Sequence, residues 1–231
     1  MNYKNPYEDL SGKLNDRRLI GAGFSEKTYD TGSVKLNYVV GPKNGPSLLL
    51  IPAQMGMWES YKKVLLPLSK IFQVYAIDVR GHGKSSWTPG HYSWKIIGED
   101  IKIFIENVIK QKVIISGNSS GGIIALWCAA NIPEYISGIV LEDAPIFSTE
   151  MPRFKEQDKF VYNGLKHLVN QIGNIPDRDL ANYFQNMEVP ASDKRIKRIP
   201  NWFVSWLSRK IKKFQDKYPD SPVEIGFPDS L

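Results

Sequence analysis

Residues 113–127 constrain the fold of this chain more than any other segment. A short β-branched run there ends in Gly117-Asn118-Ser119-Ser120-Gly121 and passes directly into an apolar helical pattern. This order of strand, tight turn and helix is the context in which a G-x-S-x-G sequence places a serine on an exposed elbow above a sheet. The segment therefore predicts a buried strand that turns sharply and returns along the sheet as a helix.

The spacing of small residues selects Ser119 as the candidate nucleophile. In so sharp a turn the residues two places before and after the nucleophile come close together, so both must be small. Gly117 and Gly121 satisfy this condition for Ser119, whereas the alternative register on Ser120 would place Asn118 at one of these positions. A glycine-rich strand-to-helix turn without chemistry is the other interpretation.

The remaining pattern alternates strands and helices. Continuous apolar runs predict strands that are covered on both faces, whereas the alternation in residues 34–40 predicts a strand with one face near solvent. Residues 1–20 read as a polar lead-in. The pattern predicts an α/β fold with a mostly parallel sheet and helices on both faces. The predicted strands are 27–31, 34–40, 47–51, 74–79, 113–116 and 139–141, and the predicted helices are 58–71, 94–109 and 120–131.

Composition narrows the class of protein. A chain of 231 residues with 42% hydrophobic content can bury one globular core. We see no apolar signal core at the start and no apolar run near the roughly 18 residues that span a bilayer. The single cysteine, Cys128, lies in an apolar helical pattern and is expected to be a buried thiol in a reducing, cytoplasmic compartment. One cysteine and three scattered histidines offer no ligand cluster, so we expect neither a metal nor a cofactor.

The net charge of +6 is concentrated in one segment. Residues 194–213 carry eight basic side chains, and without them the rest of the chain has a net charge of −2. Aromatic and apolar residues are spaced along one helical side of residues 200–214. This pattern fits a helix that packs aromatics over a substrate pocket, or a basic amphipathic helix at 194–214 that touches an anionic membrane surface. No recognised nucleic-acid module accompanies the charge, so we expect no nucleic-acid partner.

Four segments, in order over roughly residues 30–145, resemble the α/β-hydrolase fold. They are the turn 52–56 after a strand, the loop 78–85, the elbow at Ser119, and the strand end at 141–145. The resemblance implies a core in residues 1–145 and a helical cap in residues 146–231. It also indicates that the C-terminal strands of the family are lacking, which would leave the strand 139–141 as an exposed edge that favours self-association.

The resemblance also implies acyl chemistry. Members of the family hold a tetrahedral oxyanion with two backbone N–H groups, which here would come from Ser120 and Gln54. This sequence has Pro52-Ala53 where relatives show histidine and glycine, but the required donor is at Gln54. Because the elbow carries a serine, the resemblance favours a small apolar ester or amide as substrate. Branches that open epoxides use an elbow carboxylate instead.

The remaining catalytic groups are less well defined. Asp143 follows the last predicted strand, where some members of the family carry the acid, and its other interpretation is a cap before Pro145. Of the histidines, His82 and His91 precede the nucleophile, and His167 lies in a helical pattern of the predicted cap. No general base is identified, so negligible turnover is expected of this chain alone. The sequence thus predicts a serine hydrolase that is incomplete as given, or an inactive remnant that serves as a ligand-binding or interaction protein.

Overall fold

A computed structural model describes residue 5 and residues 7–54, 56–88 and 90–146. The predicted cap is outside this range apart from Ile146, and so are His167 and the basic segment 194–214. The boundary between residues 145 and 146 therefore stays a prediction. The described strands are β1 Ser25–Asp30, β2 Lys35–Val40, β3 Ser47–Ile51, β4 Gln73–Ile77, β5 Val113–Asn118 and β6 Ile136–Glu142. The described α-helices are α1 Arg17–Gly21, α2 Lys62–Leu68, α3 Trp94–Phe104 and α4 Ser120–Asn131.

The six described strands form one sheet in the order β1-β2-β4-β3-β5-β6. The strands β3 to β6 pair in parallel, and the hairpin of β1 and β2 is added to them in the antiparallel sense. The predicted mostly parallel sheet is confirmed. Because parallel strands end at the same edge, the loops after β3, β4, β5 and β6 leave the sheet side by side. This edge carries every candidate residue of the described chain.

Helices cover both faces of the sheet, as predicted. On one face α3 and α4 bury a large cluster that includes Phe104, Ile115, Ile123 and Cys128. On the other face α1 and α2 pack a second cluster against the strands. Cys128 is fully buried, as the sequence predicts, and burial raises its pKa to about 12. None of the described helices has the length and apolarity needed to cross a membrane.

The prediction that one face of the second strand lies near solvent is wrong. Every residue of β2 after Lys35 is buried, because the strand lies between β1 and β4 and is covered on both faces. Tyr38 belongs to the cluster under α3, and Val39 to the cluster under α2. The polar residue Asn37 is buried because it donates hydrogen bonds to the carboxylates of Glu26 and Asp78.

Three helical segments also differ from their predicted bounds. Residues 58–71 divide into a 3-10 turn, Trp58–Tyr61, and α2, which ends at Leu68. Residues 94–109 divide into α3 and a π-helical turn, Ile105–Ile109. The polar lead-in contains α1, whose first N–H groups are capped by the side chain of Asp16. Such short helices carry too few apolar residues for a periodic signal.

Strand β6 is the outermost strand on its side of the sheet within the described residues. Its apolar residue Val140 is 50% exposed. Self-association through this edge stays a prediction.

Candidate active site

Ser119 occupies a strained elbow between β5 and α4. Its φ of 51° and ψ of −115° lie in a region that non-glycine residues rarely adopt. Hydrogen bonds on both sides hold this conformation: Ser119 N–H donates to the carbonyl of Glu142 (2.8 Å), and Gly122 N–H donates to the carbonyl of Ser119 (2.9 Å). Backbone strain at a single serine, supported by its neighbours, is typical of a functional position.

The two flanking glycines are required by close approach. A Cβ atom at Gly117 would overlap the carbonyl group of Gly121, and a Cβ atom at Gly121 would overlap the carbonyl oxygen of Ile51. The first turn of α4 therefore lies against the ends of β5 and β3. The elbow geometry that the spacing predicts around Ser119 is present, and the strained serine is Ser119 and not Ser120.

The side chain of Ser119 makes no hydrogen bond to any residue within the described ranges. It stands at the N-terminus of α4, a helix of 12 residues. The first N–H groups of a helix have no intrahelical acceptor and carry partial positive charge. Ser120 is the first residue of this helix, so its N–H is available to an anionic oxygen next to Ser119.

The chain leaves the sheet beside the elbow after β3, in a turn of which residues 52–54 and 56–57 are described. Ile51, the last residue of β3, is in register with Gly117 of β5. Gly56 N–H donates to the carbonyl of Ala53 (2.8 Å), which closes a tight turn around Gln54. The predicted donors Gln54 and Ser120 thus come from neighbouring elements. Their role in an oxyanion hole stays a prediction.

Asp143 directly follows β6 and also lies beside the elbow. Its neighbour Glu142 pairs in register with Asn118, and the Asn118 side-chain amide donates to the Glu142 carbonyl (3.1 Å). The Glu142 carboxylate accepts a hydrogen bond from Ser116. Asp143 itself is exposed and has a φ of 53°. The position of Asp143 is compatible with the predicted catalytic acid. Its role as that acid stays a prediction.

The described histidines are not bonded to the candidate nucleophile. His82 lies in the loop after β4, and the order of strands places β3 between this strand and β5. Its Nδ1 donates to the carbonyl of Arg80 (3.0 Å), and burial lowers its pKa. His91 is exposed. Within the described ranges, no histidine forms a hydrogen bond with Ser119.

A buried polar network, which the sequence analysis did not assign, lies under the same edge. It joins Glu26 of β1, Asn37 of β2, Trp58 after the turn, and Asp78 and Lys84 of the loop after β4. Asp78 and Lys84 belong to a segment that the sequence analysis singled out. Asn37 lies within a predicted strand and Glu26 directly before one, and a polar residue at such a position does not by itself reveal a partner. No group of three potential metal ligands occurs among the described residues.

Comparison with known proteins agrees with the fold described above. A sequence model of the family described as "alpha/beta hydrolase fold" matches residues 46–219. Mouse (Mus musculus) epoxide hydrolase 4 is 29% identical over 136 residues, which cover 57% of this chain and 37% of that protein. Human (Homo sapiens) serine hydrolase BPHL is 28% identical over 152 residues, which cover 64% of this chain and 50% of that protein. The chain thus spans half or less of the length of these curated relatives.

Solved structures agree on the fold. A hydrolase from Pseudomonas aeruginosa superimposes with a TM-score of 0.56 at 22% identity, over 85% of this chain and 67% of that one. Cfl2 from Burkholderia cenocepacia gives a TM-score of 0.56 at 18% identity, over 88% of this chain and 78% of that one.

Proposed function

Because the chain belongs to the α/β-hydrolase fold family, we propose that it is a serine hydrolase that cleaves a small, apolar ester or amide through Ser119. The observation that carries the proposal is the elbow itself. A serine at φ 51° stands at the end of a parallel strand and the start of a helix, and the glycines two places before and after it approach each other and Ile51 too closely for any side chain. A purely structural turn would accept glycine at this strained position with less cost.

The proposed reaction follows from the groups around the elbow. Ser119 Oγ attacks the carbonyl carbon of the substrate, and the carbonyl oxygen becomes an oxyanion between the N–H groups of Ser120 and Gln54. Collapse of this intermediate expels the alcohol or amine and leaves an acyl-serine. Water then attacks the acyl-serine and releases the carboxylic acid.

A general base must accept the proton of Ser119 Oγ and pass it to the leaving group. Neither of the described histidines forms a hydrogen bond with Ser119, so the base is not assigned. We propose Asp143 as the acid that orients the base, because it follows β6 at the edge of the sheet where the elbow stands.

The elbow side chain also bears on the type of substrate. One relative is named an epoxide hydrolase and another a serine hydrolase. The branches of the family that open epoxides use a carboxylate at the elbow as nucleophile, whereas this chain carries the hydroxyl of Ser119 there. Ester or amide hydrolysis therefore fits the chain better than epoxide opening does.

A ligand-binding protein of the same fold is the second candidate. It is favoured by one observation: the described part of the chain provides no histidine bonded to Ser119. In that case the elbow would bind an acyl compound through Ser120 and Gln54 without turning it over.

Release of p-nitrophenol from p-nitrophenyl butyrate tests the proposal. With no base assigned, we expect these 231 residues alone to be slow, about 10³–10⁴-fold above water through the oxyanion donors. The oxyanion donors remain in Ser119→Ala, so part of this rate should persist there, and the decisive readout is the acyl-serine: mass spectrometry should find a butyryl group on Ser119 in the wild type and none on that peptide in Ser119→Ala. The matched control is Ser137→Ala, which removes an exposed hydroxyl from β6. If Ser119 carries no butyryl group in the wild type or in Ser137→Ala, the proposal fails.

A further inference from the structure

A buried carboxylate holds the far end of the turn that carries Gln54. The turn leaves β3 at Ile51 and ends at Trp58, the first residue of the next 3-10 turn. Trp58 N–H donates to Asp78 Oδ1 at 2.7 Å, and the Asp78 side chain is completely buried. One end of the turn is thus fixed by the sheet and the other by Trp58, whose backbone N–H is held by Asp78 and whose indole Nε1 donates to Glu26 Oε1 (2.9 Å).

We propose that Asp78 is a positioning residue for the turn 52–57, because its ionised carboxylate fixes Trp58 and thereby aims the N–H of Gln54 at the elbow. The inference rests on the proposed function, in which Gln54 N–H is an oxyanion donor. Asp78 does not touch the substrate. Its effect reaches the reaction through the backbone of the turn.

The hydrogen bonds of Asp78 require two accepting oxygens. Oδ1 accepts from Trp58 N–H, while Oδ2 accepts from Lys84 N–H (3.0 Å) and from the side-chain amide of Asn37 (2.9 Å). An ionised carboxylate can accept all three bonds. A protonated carboxyl group would have to place its own proton on one oxygen, and Oδ1 carries fewer donors. Protonation would therefore set an O–H against Trp58 N–H and loosen the backbone at the end of the turn, while the Trp58 indole stays bonded to Glu26.

The surroundings make this protonation accessible near neutral pH. Burial, together with the nearby Glu59 carboxylate, raises the pKa of Asp78 to about 7, although its hydrogen bonds act in the opposite direction. The Lys84 ammonium is bonded to Glu26 Oε1 (2.6 Å). The charged groups near Asp78 are Glu59 on the 3-10 turn that begins at Trp58, Lys84 in the loop, and Glu26 on β1, which shares the Asn37 amide with Asp78. Lys62 on α2 lies near Glu59.

The substitution Asp78→Asn imitates the protonated state at nearly constant volume. Asparagine has one accepting oxygen, and two of the three donors converge on the Oδ2 side. Its NH₂ group would then face Trp58 N–H, donor against donor. The matched control is Asp30→Asn, at an exposed carboxylate that accepts a backbone N–H from Gly32 in the hairpin turn.

The first readout does not depend on activity. Backbone amide shifts of Gln54, Gly56 and Trp58 are followed by NMR against pH in the full chain and in both variants. We expect all three amides to titrate together with a midpoint near 7 in the wild type and in Asp30→Asn, and to lose this step in Asp78→Asn. If Gln54 and Gly56 do not move while Trp58 titrates, Asp78 does not position the turn and the proposal is overturned.

The second readout is the rate at which p-nitrophenyl butyrate acylates Ser119. The acylation rate of the wild type divided by that of Asp78→Asn should increase by about tenfold to a hundredfold as pH rises through 7. Misplacing a reacting group by about 1 Å changes a rate by this order. A general base titrates equally in both proteins and cancels in the ratio. If Ser119 is acylated but the ratio stays flat, the positioning role fails. If Ser119 is never acylated, the proposed function fails, and the amide titration still decides whether Asp78 holds the turn.

Discussion

The close packing of the elbow predicts a large difference between two glycine-to-alanine substitutions. At Gly121 a Cβ atom would overlap the carbonyl oxygen of Ile51, which belongs to the backbone of a central strand and cannot move aside alone. At Gly138 in β6, a Cβ atom would meet nothing within 4 Å. Both glycines have backbone conformations that alanine can adopt. The two variants therefore differ mainly in the space around the added methyl group.

The magnitudes follow from opposing effects. Overpacking in a tight site costs about 1–3 kcal/mol, and the rigid backbone contact at Gly121 places this variant toward the upper end. The helix propensity of alanine returns up to about 1 kcal/mol, so we expect Gly121→Ala to lower the free energy of unfolding by about 2 kcal/mol. Gly138→Ala should raise it by about 0.4–1 kcal/mol, because the unfolded chain loses conformational freedom.

Urea unfolding followed by tryptophan fluorescence measures both variants, with the denaturant dependence checked for constancy. Gly121→Ala should also slow acylation of Ser119, because the displaced strand end carries the turn of Gln54. If Gly121→Ala is as stable as the wild type with an unchanged denaturant dependence, the contact with Ile51 is not tight and the steric account of the elbow is wrong.

Three further predictions concern buried groups. Arg80 and Asp100 form an almost fully buried ion pair with two hydrogen bonds (2.7 and 2.8 Å). Asp100→Ala should therefore lower the free energy of unfolding by about 3–5 kcal/mol in urea titrations. A loss below about 1 kcal/mol would contradict the burial of the pair. The pKa of Asp78 in the folded state lies above its ordinary value, so the folded state holds this proton more tightly than the unfolded chain does. The free energy of unfolding should therefore fall by up to about 4 kcal/mol as pH rises from about 4 to about 7, and should fall less in Asp78→Asn. Equal pH slopes in both proteins would refute the raised pKa of Asp78. Cys128 of α4 is fully buried with a raised pKa, so Ellman's reagent should label it only at the rate of unfolding. Rapid labelling of the native chain would contradict its burial in the cluster that α3 and α4 cover.

The elbow and the sheet were predictable because their signals are local. The β-branched run before Gly117 and the apolar run after Gly121 each determine an element, and the tight turn between them limits the residue types that fit. The parallel sheet follows from the alternation of strands and helices. The burial of both faces of β2 was not predictable, because its neighbour β4 is distant in sequence and Asn37 gives a misleading polar signal.

The network under the elbow could not be assigned for a related reason. Glu26 and Trp58 are 32 positions apart, and their hydrogen bond exists only because the hairpin of β1 and β2 is added to the edge of the parallel strands. A single carboxylate in a strand gives no indication of such a partner. The general base stays unassigned, since neither described histidine forms a hydrogen bond with Ser119 and His167 is outside the described residues.

Labelling with a fluorophosphonate tests the central claim most directly, because this reagent is attacked irreversibly by a nucleophilic serine, so that even slow attack accumulates as an adduct. The full chain, Ser119→Ala and Ser137→Ala are incubated with the reagent, and the adduct is located by peptide mass spectrometry. The account predicts one adduct on Ser119 in the wild type and in Ser137→Ala, and none on that peptide in Ser119→Ala. An adduct on Ser120 or on several exposed serines at similar rates, with Ser119 unmodified, would contradict the claim that Ser119 is the nucleophile.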